Sequence, residues 1–287
     1  MSAEPRFGNA CATACSWLFV PATRPERIPK ALDCGAHMVI VDLEDAVAPN
    51  DKRAARTQLA SALSAERRVV LRINAADTPW FDDDLAFAAQ QPGVAGVVVS
   101  KSESVDVLQH IAACAPRLAL LPLIETARGI AVAETLALHA GVVRLLFGSI
   151  DFRLDLDLGD DDESLLYFRS HLVLASRRAG RAAPVDGVSL SLDDDAALRA
   201  DTARARRLGF GAKLCIHPRQ VGVVNHGFCP TPEEVAWAQR VVALAEQGDA
   251  VAVMDGRMVD RPVIEQARRV LARQAAMKDA HARGERG

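Results

Sequence analysis

The sequence predicts an α/β fold, a (β/α)₈ TIM barrel with a C-terminal helical extension, and three observations predict it. Eight short runs rich in Val, Ile and Leu, at residues 17–21, 38–41, 69–73, 96–99, 118–124, 144–147, 187–192 and 213–217, alternate with helix-like segments about every 25 to 35 residues. Half of the 287 residues are hydrophobic and only one is Tyr, which favours helices wrapped on a buried parallel sheet over an all-β sandwich. The first run leads into Pro21-Ala22-Thr23-Arg24-Pro25, with no glycine-rich phosphate loop of the kind an open doubly wound nucleotide binder carries there. Eight strands with crossover helices can instead close on themselves. The barrel is expected over residues 1–225 and the extension over 226–287.

Between the strands, helices are expected at 25–34, 51–63, 81–91, 104–113, 129–138, 163–178 and 194–208. Asp51-Lys52-Arg53 and Ser104-Val105-Asp106 read as helix starts with a capping side chain first. In the last segment Ala197, Leu198, Ala203 and Leu208 are spaced among charges, an amphipathic pattern. Beyond the barrel, Thr231-Pro232-Glu233-Glu234 opens a helix to about residue 247, with Pro near its first turn. Residues 251–260 read as extended or hairpin-like, and a final helix runs from 262 to about 278. Such a tail either packs on a neighbouring subunit or caps the barrel's own helices, and the sequence leaves both open.

The formal net charge of −3 argues against a nucleic-acid partner, which calls for a basic excess. The acidic run at 159–163 reads as a solvated loop. None of the six Cys forms a C-x-x-C pair, so neither a zinc site nor a disulfide framework is indicated, and a reducing cytoplasm is expected. Cys34, Cys114 and Cys215 lie in apolar or Ala-rich settings and are expected to be buried. The N-terminus carries Glu4 and Arg6 rather than a secretory apolar stretch. No run approaches the roughly 20 residues of a membrane span.

Seven of the eight runs end in charged or polar side chains: Arg24, Asp42 with Glu44 and Asp45, Arg72 with Asn74, Lys101 with Glu103, Glu125, Asp151 and His217. Charges that converge on one mouth are costly unless a ligand, ion or partner compensates them. In a barrel the carboxyl ends of the strands hold the chemistry. Glu125 and Asp151 close strands five and six, and two neighbouring hard-oxygen donors with room for water suit Mg²⁺. A helix cap or salt bridge is the plainer reading of any one such acid, and Glu125 does precede a helix-like stretch. Arg72 offers a planar fork for a substrate carboxylate, or an ion pair with Asp42 or Glu44. Asp42 and Glu44 share one side of the chain and need cations, for which Arg72 and Lys101 are the candidates. Lys101, among expected acidic neighbours that hold an amine protonated, reads as a charge balancer rather than a Schiff-base lysine. Arg24, Arg27 and Lys30 form a basic patch able to hold phosphates, or an ordinary solvated helix face. His217 could donate or stack, though a lone His is more often structural.

These residues stand in a recognisable order: Leu18-Phe19-Val20-Pro21 before Arg24-Pro25, Asp42-Leu43-Glu44-Asp45-Ala46-Val47 with Lys52, Arg72-Ile73-Asn74, Ile124-Glu125-Thr126-Ala127, Phe147-Gly148 before Asp151, Ile216-His217-Pro218 before Gln220, and Asp255-Gly256-Arg257-Met258-Val259-Asp260. The chain from about residue 16 to about 272 resembles the citrate lyase beta-subunit-like enzymes, which include malyl-CoA and citramalyl-CoA lyases, within the HpcH/HpaI aldolase superfamily. The resemblance implies a Mg²⁺-dependent barrel that cleaves or forms a carbon–carbon bond beside a CoA thioester, with a keto acid as the other product. It implies Glu125 and Asp151 as metal ligands and Arg72 as the contact to substrate carboxylate and carbonyl. Phe19, Arg24 and Lys30 are implied as substrate or CoA contacts, with Ile216 and His217 lining the CoA side. Asp260 is similar to a family acid that reaches a neighbouring subunit's site, and a homotrimer or hexamer is implied. Asp42, Glu44 and Lys101 fall behind the contacting residues. The chain departs from the pattern at Ala22, where Gly is frequent, at Ser100, where Pro is usual, and at Ser189-Leu190-Ser191, which replaces a more acidic and aromatic sequence. These departures bear on pocket shape and leave the acyl group open.

Overall fold

The computed structural model of the chain describes residues 5–159, 161, 163–246 and 252–284. Eight strands pair in sequence order into a closed parallel barrel: β1 (Ser16–Pro21), β2 (Met38–Asp42), β3 (Val69–Ile73), β4 (Val94–Val99), β5 (Ala119–Ile124), β6 (Leu146–Phe147), β7 (Val185–Asp186) and β8 (Ala212–Cys215). Closure is made by β1 and β8, with Ser16, Trp17 and Leu18 of β1 in register with Lys213, Leu214 and Cys215 of β8. The interior is filled by Trp17, Ile40, Val70, Val98, Leu121, Leu123, Leu146 and Leu214, all buried, so the barrel is a packed core rather than a pore.

The helices follow in chain order: α1 (Pro5–Thr13), α2 (Ile28–Asp33), α3 (Lys52–Ala60), α4 (Phe81–Gln90), α5 (Val105–Cys114), α6 (Ala127–Ala131), α7 (Ala133–Leu138), α8 (Ser149–Leu156), α9 (Leu166–Arg178), α10 (Asp195–Leu208), α11 (Pro218–Phe228), α12 (Pro232–Glu246) and α13 (Arg261–Gly284). Helix α1 closes the amino end of the barrel. Its Phe7 and Cys11 join the core cluster, and buried Arg144 donates to the Cys11 and Ala14 carbonyls at 3.0 and 2.7 Å. The carboxyl end is left to the loops.

The chain forms two compact units, Met1–Gly227 and Phe228–Gly287. In the second, β9 (Ala252–Met254) and β10 (Arg257–Val259) form an antiparallel hairpin. Its turn uses Asp255 and Gly256, both at positive φ, which suits a tight two-residue turn. Ala238, Val241, Val259 and Ala267 make this unit's own small core. Among the described residues no helix is long and apolar enough to cross a membrane.

Four expectations are corrected. The seventh strand is Val185–Asp186, and 187–192 is irregular, with Leu190 and Leu192 exposed. Side chains take its carbonyls in place of a strand ladder: Lys213 Nζ donates to Gly187 O at 2.8 Å, and Gln220 Nε2 to Ser189 O at 2.9 Å. Asp51 precedes α3 without a side-chain cap, whereas Ser104 accepts from the Asp106 amide as expected. Cys114 is exposed at the end of α5 and Cys34 half-buried, while Cys215 is buried. Helices α1, α8 and α11 were not expected from the sequence. Of the acidic run, Asp160 and Asp162 lie outside the described residues, as do residues 247 and 251 of the tail segments.

Candidate active site

The ends of β1, β2 and β3 and the segments after β5, β6, β7 and β8 surround a cavity of about 420 Å³. Its charged lining comes from Asp42, Asp45, Arg72, Glu125 and Asp151, while Phe19, Val188, Leu214 and Ile216 make an apolar wall on the β7–β8–β1 side. The mouth thus has a charged arc and an apolar arc, each contiguous around the strand order.

Arg72 is the hub of the charged arc. It points inward from β3 and is 8 % exposed. Its Nε and Nη2 donate to the two oxygens of Asp42 at 2.7 and 2.5 Å, a bidentate pair. Its Nη1 lies 2.9 Å from Glu44 Oε2 and 3.1 Å from Asp45 Oδ2. Phe19 lies under the guanidinium, 5.0 Å from ring centre to Cζ. Burial alone pulls an arginine down, but here the Asp42 hydrogen bonds and three carboxylate charges outweigh it and raise Arg72 above its usual range. Arg72 is thus ion-paired, as one sequence reading expects, and it also lines the cavity.

The loop that supplies those carboxylates is pinned from behind. Asp42 accepts from the Glu44 and Ala46 amides at 2.9 and 3.1 Å. Lys52, at the start of α3, is buried and donates to Leu43 O, Glu44 O and Asn74 Oδ1 at 2.8, 2.7 and 2.7 Å. Asn74 in turn donates to Asp84 Oδ2 at 2.6 Å, and Arg56 donates to Asp84 Oδ1 at 2.7 Å. The role of Lys52 is not evident from the sequence motif that contains it. The available signal was a lysine at a helix start beside an acidic loop.

Glu125 follows β5 and is 2 % exposed. Its Oε1 accepts from the Lys101 amide at 2.7 Å. Burial pushes its carboxyl up to about 8, with the Glu44 and Asp151 charges adding and the Lys101 amide and Arg72 opposing. Asp151 does not end a strand. It sits in the first turn of α8, half-buried, where the helix amino end favours a negative charge. Burial and then the Asp45 charge raise its carboxyl. Burial likewise pushes Glu44 up to about 7. Glu125 and Asp151 make no ion pair among the described residues, because Arg72 is held by Asp42, Glu44 and Asp45. A divalent ion between Glu125 and Asp151 would supply the missing charge, and two carboxylates leave positions for substrate and water, as Mg²⁺ prefers. Among the described residues no group of three or more His, Cys, Asp or Glu forms a closed metal cage.

Several expected residues stand elsewhere. The Lys101 side chain is exposed and makes no ion pair among the described residues, so it does not balance Asp42 and Glu44 as expected. Its contribution is the amide to Glu125, presented by a backbone at φ 44°, a conformation that side chains other than glycine adopt at a cost. Glu103 bonds Thr126 rather than Lys101, accepting from Oγ1 at 2.8 Å. Arg24 and Lys30 are exposed on the segment after β1, and Arg24 pairs with Glu26 at 3.3 Å. Ile216 lines the cavity. His217 is half-buried, and its Nδ1 accepts from the Arg219 amide at 3.2 Å. Asp260 lies in the second unit at the start of α13, where its Oδ1 accepts from the Val263 amide at 3.3 Å.

Residues 16–218 match the family described as HpcH/HpaI aldolase/citrate lyase. The chain is 34 % identical over 273 residues to a (3S)-malyl-CoA thioesterase of Cereibacter sphaeroides, covering 91 % of this chain and 95 % of the relative. It is 35 % identical over 272 residues to a citrate lyase subunit beta-like protein of Mycobacterium tuberculosis, covering 92 % and 97 %. Among solved structures it is similar to the CitE protein of Mycobacterium tuberculosis in complex with magnesium, acetoacetate and coenzyme A. That likeness has a TM-score of 0.81 and 34 % identity, over 92 % of this chain and 99 % of the other.

Proposed function

The chain belongs to the HpcH/HpaI aldolase/citrate lyase family, and on that premise we propose a Mg²⁺-dependent carbon–carbon lyase. Its substrate is a hydroxy-dicarboxylic or tricarboxylic acyl-CoA thioester such as citramalyl-CoA, malyl-CoA or citryl-CoA. The products are a keto acid and acetyl-CoA, or their equivalents, and the same site can run the condensation. The observation that carries this reading is the charge arrangement. Glu125 and Asp151 line one cavity, both with raised carboxyls, beside an arginine whose carboxylate partners are other residues.

When bound by Glu125 and Asp151, Mg²⁺ supplies Lewis-acid polarisation of the substrate's oxygens. The Lys101 amide fixes one oxygen of Glu125 and so orients that ligand. Arg72, held rigid by its carboxylates and by Phe19, directs a preorganised positive charge at the substrate carboxylate and at the enolate oxygen of the departing thioester. Asp42 and Glu44 act through Arg72 rather than on substrate. The exposed Arg24 and Lys30 suit the CoA phosphates, and Ile216 and His217 its chain. Each cavity carboxylate is assigned to the metal or to Arg72, so the base that takes the hydroxyl proton comes from elsewhere. Asp260 of a neighbouring copy in a trimer or hexamer fills that role.

The test is a panel of hydroxyacyl-CoA thioesters with the Mg²⁺-loaded protein, following free thiol and keto acid separately. Keto acid with acetyl-CoA is expected, abolished by chelation and by Glu125→Gln or Asp151→Asn in folded protein. Turnover that survives those changes refutes the metal role. The likeness to a malyl-CoA thioesterase favours hydrolysis as a second reading, whose signature is free thiol without acetyl-CoA. A free keto-acid aldolase would ignore the thioester, and a non-catalytic subunit of a lyase complex would act on none of the panel.

A further inference from the structure

Of the four residues of the apolar wall, Phe19 and Leu214 stand on β1 and β8, whereas the other two stand on segments that no strand ladder holds. Val188 belongs to the irregular stretch after β7, and Ile216 to the residues just after β8. One buried side chain bonds both stretches. Gln220, 2 % exposed in the first turn of α11, accepts through Oε1 from the Ile216 and His217 amides at 2.8 and 3.3 Å. Through Nε2 it donates to the Ser189 and Ser191 carbonyls at 2.9 and 3.3 Å. Two N–H donors meet the oxygen and two carbonyls meet the nitrogen, so the partners themselves fix which end is which. All four hydrogen-bonding capacities of the amide are used.

Half of this is ordinary. A Gln three residues past a helix start often reaches back to the capping amide. The Oε1 bonds to Ile216 and His217 are of that kind, and any good cap would serve them. The Nε2 bonds are not, because Ser189 and Ser191 lie on another loop, about thirty residues earlier in the chain. Two further anchors hold that loop: Ser189 Oγ donates to Asp201 Oδ2 at 2.5 Å, and Lys213 Nζ to Gly187 O. A surface loop tied at this many points is built to hold a shape. What it displays to the cavity is Val188.

We propose that Gln220 is a positioning residue for substrate. Its amide sets the spacing between the Val188 and Ile216 segments and thereby the shape of the apolar wall facing the charged arc. The proposal rests on the reading that this cavity holds the acyl part of a thioester. Glu125 and Asp151 lie on the opposite arc, so metal binding is independent of the staple.

The deciding variant is Gln220→Glu, since Glu caps a helix start as well as Gln while it turns the donors to Ser189 and Ser191 into an acceptor oxygen that those carbonyls repel. Gln220→Leu removes both halves. Gln220→Glu is expected to raise KM about tenfold, with kcat within about threefold and Mg²⁺ affinity within about twofold of wild type. The preference between malyl- and citramalyl-CoA, which differ by one methyl group against this wall, is expected to move by about fivefold or more. Hydrogen exchange should quicken at residues 187–192 in Gln220→Glu, and at 216–217 as well in Gln220→Leu. A folded Gln220→Glu with wild-type KM, preference and exchange overturns the proposal, because capping alone then explains the residue. A parallel loss of Mg²⁺ affinity also overturns it. A wild-type protein that turns over no thioester sinks the underlying reading instead, and the exchange result then decides the staple by itself.

Discussion

Gly148→Ala is the sharpest probe of the metal site, because its effect is worked from distances. Gly148 has φ −86°, which any residue can adopt, so a glycine is needed there for room rather than for backbone freedom. A Cβ at this position would stand 2.6 Å from Glu125 Cβ and 2.7 Å from Glu125 Oε2. Ordinary contact begins near 3.4 Å, so the shortfall is about 0.8 Å. The near atom is the root of the Glu125 side chain, which cannot swing aside. β5 and β6 must part to free the Cβ, and the crowded Oε2 must move as well, which pulls Glu125 off the Lys101 amide at 2.7 Å. Overpacking of this size costs about 1–3 kcal/mol, which a domain of this kind survives. A metal ligand displaced from its support loses about 10- to 100-fold in affinity. Calorimetry of Mg²⁺ binding, beside thermal denaturation, separates the two effects. Gly222→Ala in α11 is the control, for nothing lies within 4 Å of the added carbon. A folded Gly148→Ala with wild-type Mg²⁺ affinity would show that Glu125 does not hold the ion.

Two further predictions follow from the charged arc. Lys52→Met strips a donor from Leu43 O, Glu44 O and Asn74 Oδ1 inside the protein and leaves Asp84 with one cation fewer, while Leu43 O keeps Asn74 Nδ2 at 3.0 Å. A loss of about 3–5 kcal/mol is expected in urea denaturation, and an unchanged midpoint would remove Lys52 from the support of Arg72. Glu44 and Glu125 are pushed by burial to about 7 and about 8. A carboxyl raised in the folded state keeps its proton longer than in the unfolded chain. Its stabilisation is therefore complete below about 4.5 and lost as pH rises through about 7 to 8. The metal-free protein should be more stable at pH 6 than at pH 8.5, and saturating Mg²⁺ should flatten or reverse that slope, because the ion binds the deprotonated form. Identical urea midpoints across that range in chelator would refute the assignment.

The barrel was legible because its signals are additive along the chain. The run at 69–73 is β-branched and apolar and became β3 with the same bounds, and the charges that follow the runs had no place in a core. The failures have particular causes. Ile150, Phe152, Leu154 and Leu156 alternate with charged residues, a period of two, yet the segment is helix α8. Only Phe152 of the four is buried, packed edge-on against Phe147, so the local pattern says nothing about which side faces the core. Residues 187–192 carry strand-like apolar residues, but buried Lys213 and Gln220 claim their carbonyls from two other elements. Helix α1 owes its place to the open amino end of a barrel that must be plugged, a need that appears only once the strands close.

The candidate site divides along the same line. Residue types at strand ends were enough to gather Asp42, Arg72, Glu125 and Asp151 around one mouth. They were not enough to say which charge answers which. Lys101 looked like the second cation of the acidic loop, and its side chain turned to solvent while its amide served Glu125. With the Lys101 side chain away from that loop, Arg72 takes all three of its carboxylates, and Glu125 and Asp151 are left without an ion pair among the described residues. Pairing of this kind depends on which way each backbone turns at the strand end, and a positive φ at residue 101 decides it here. The proposed affinity of Glu125 and Asp151 for a divalent ion thus leans on one turn after β4, two strands away from Asp151.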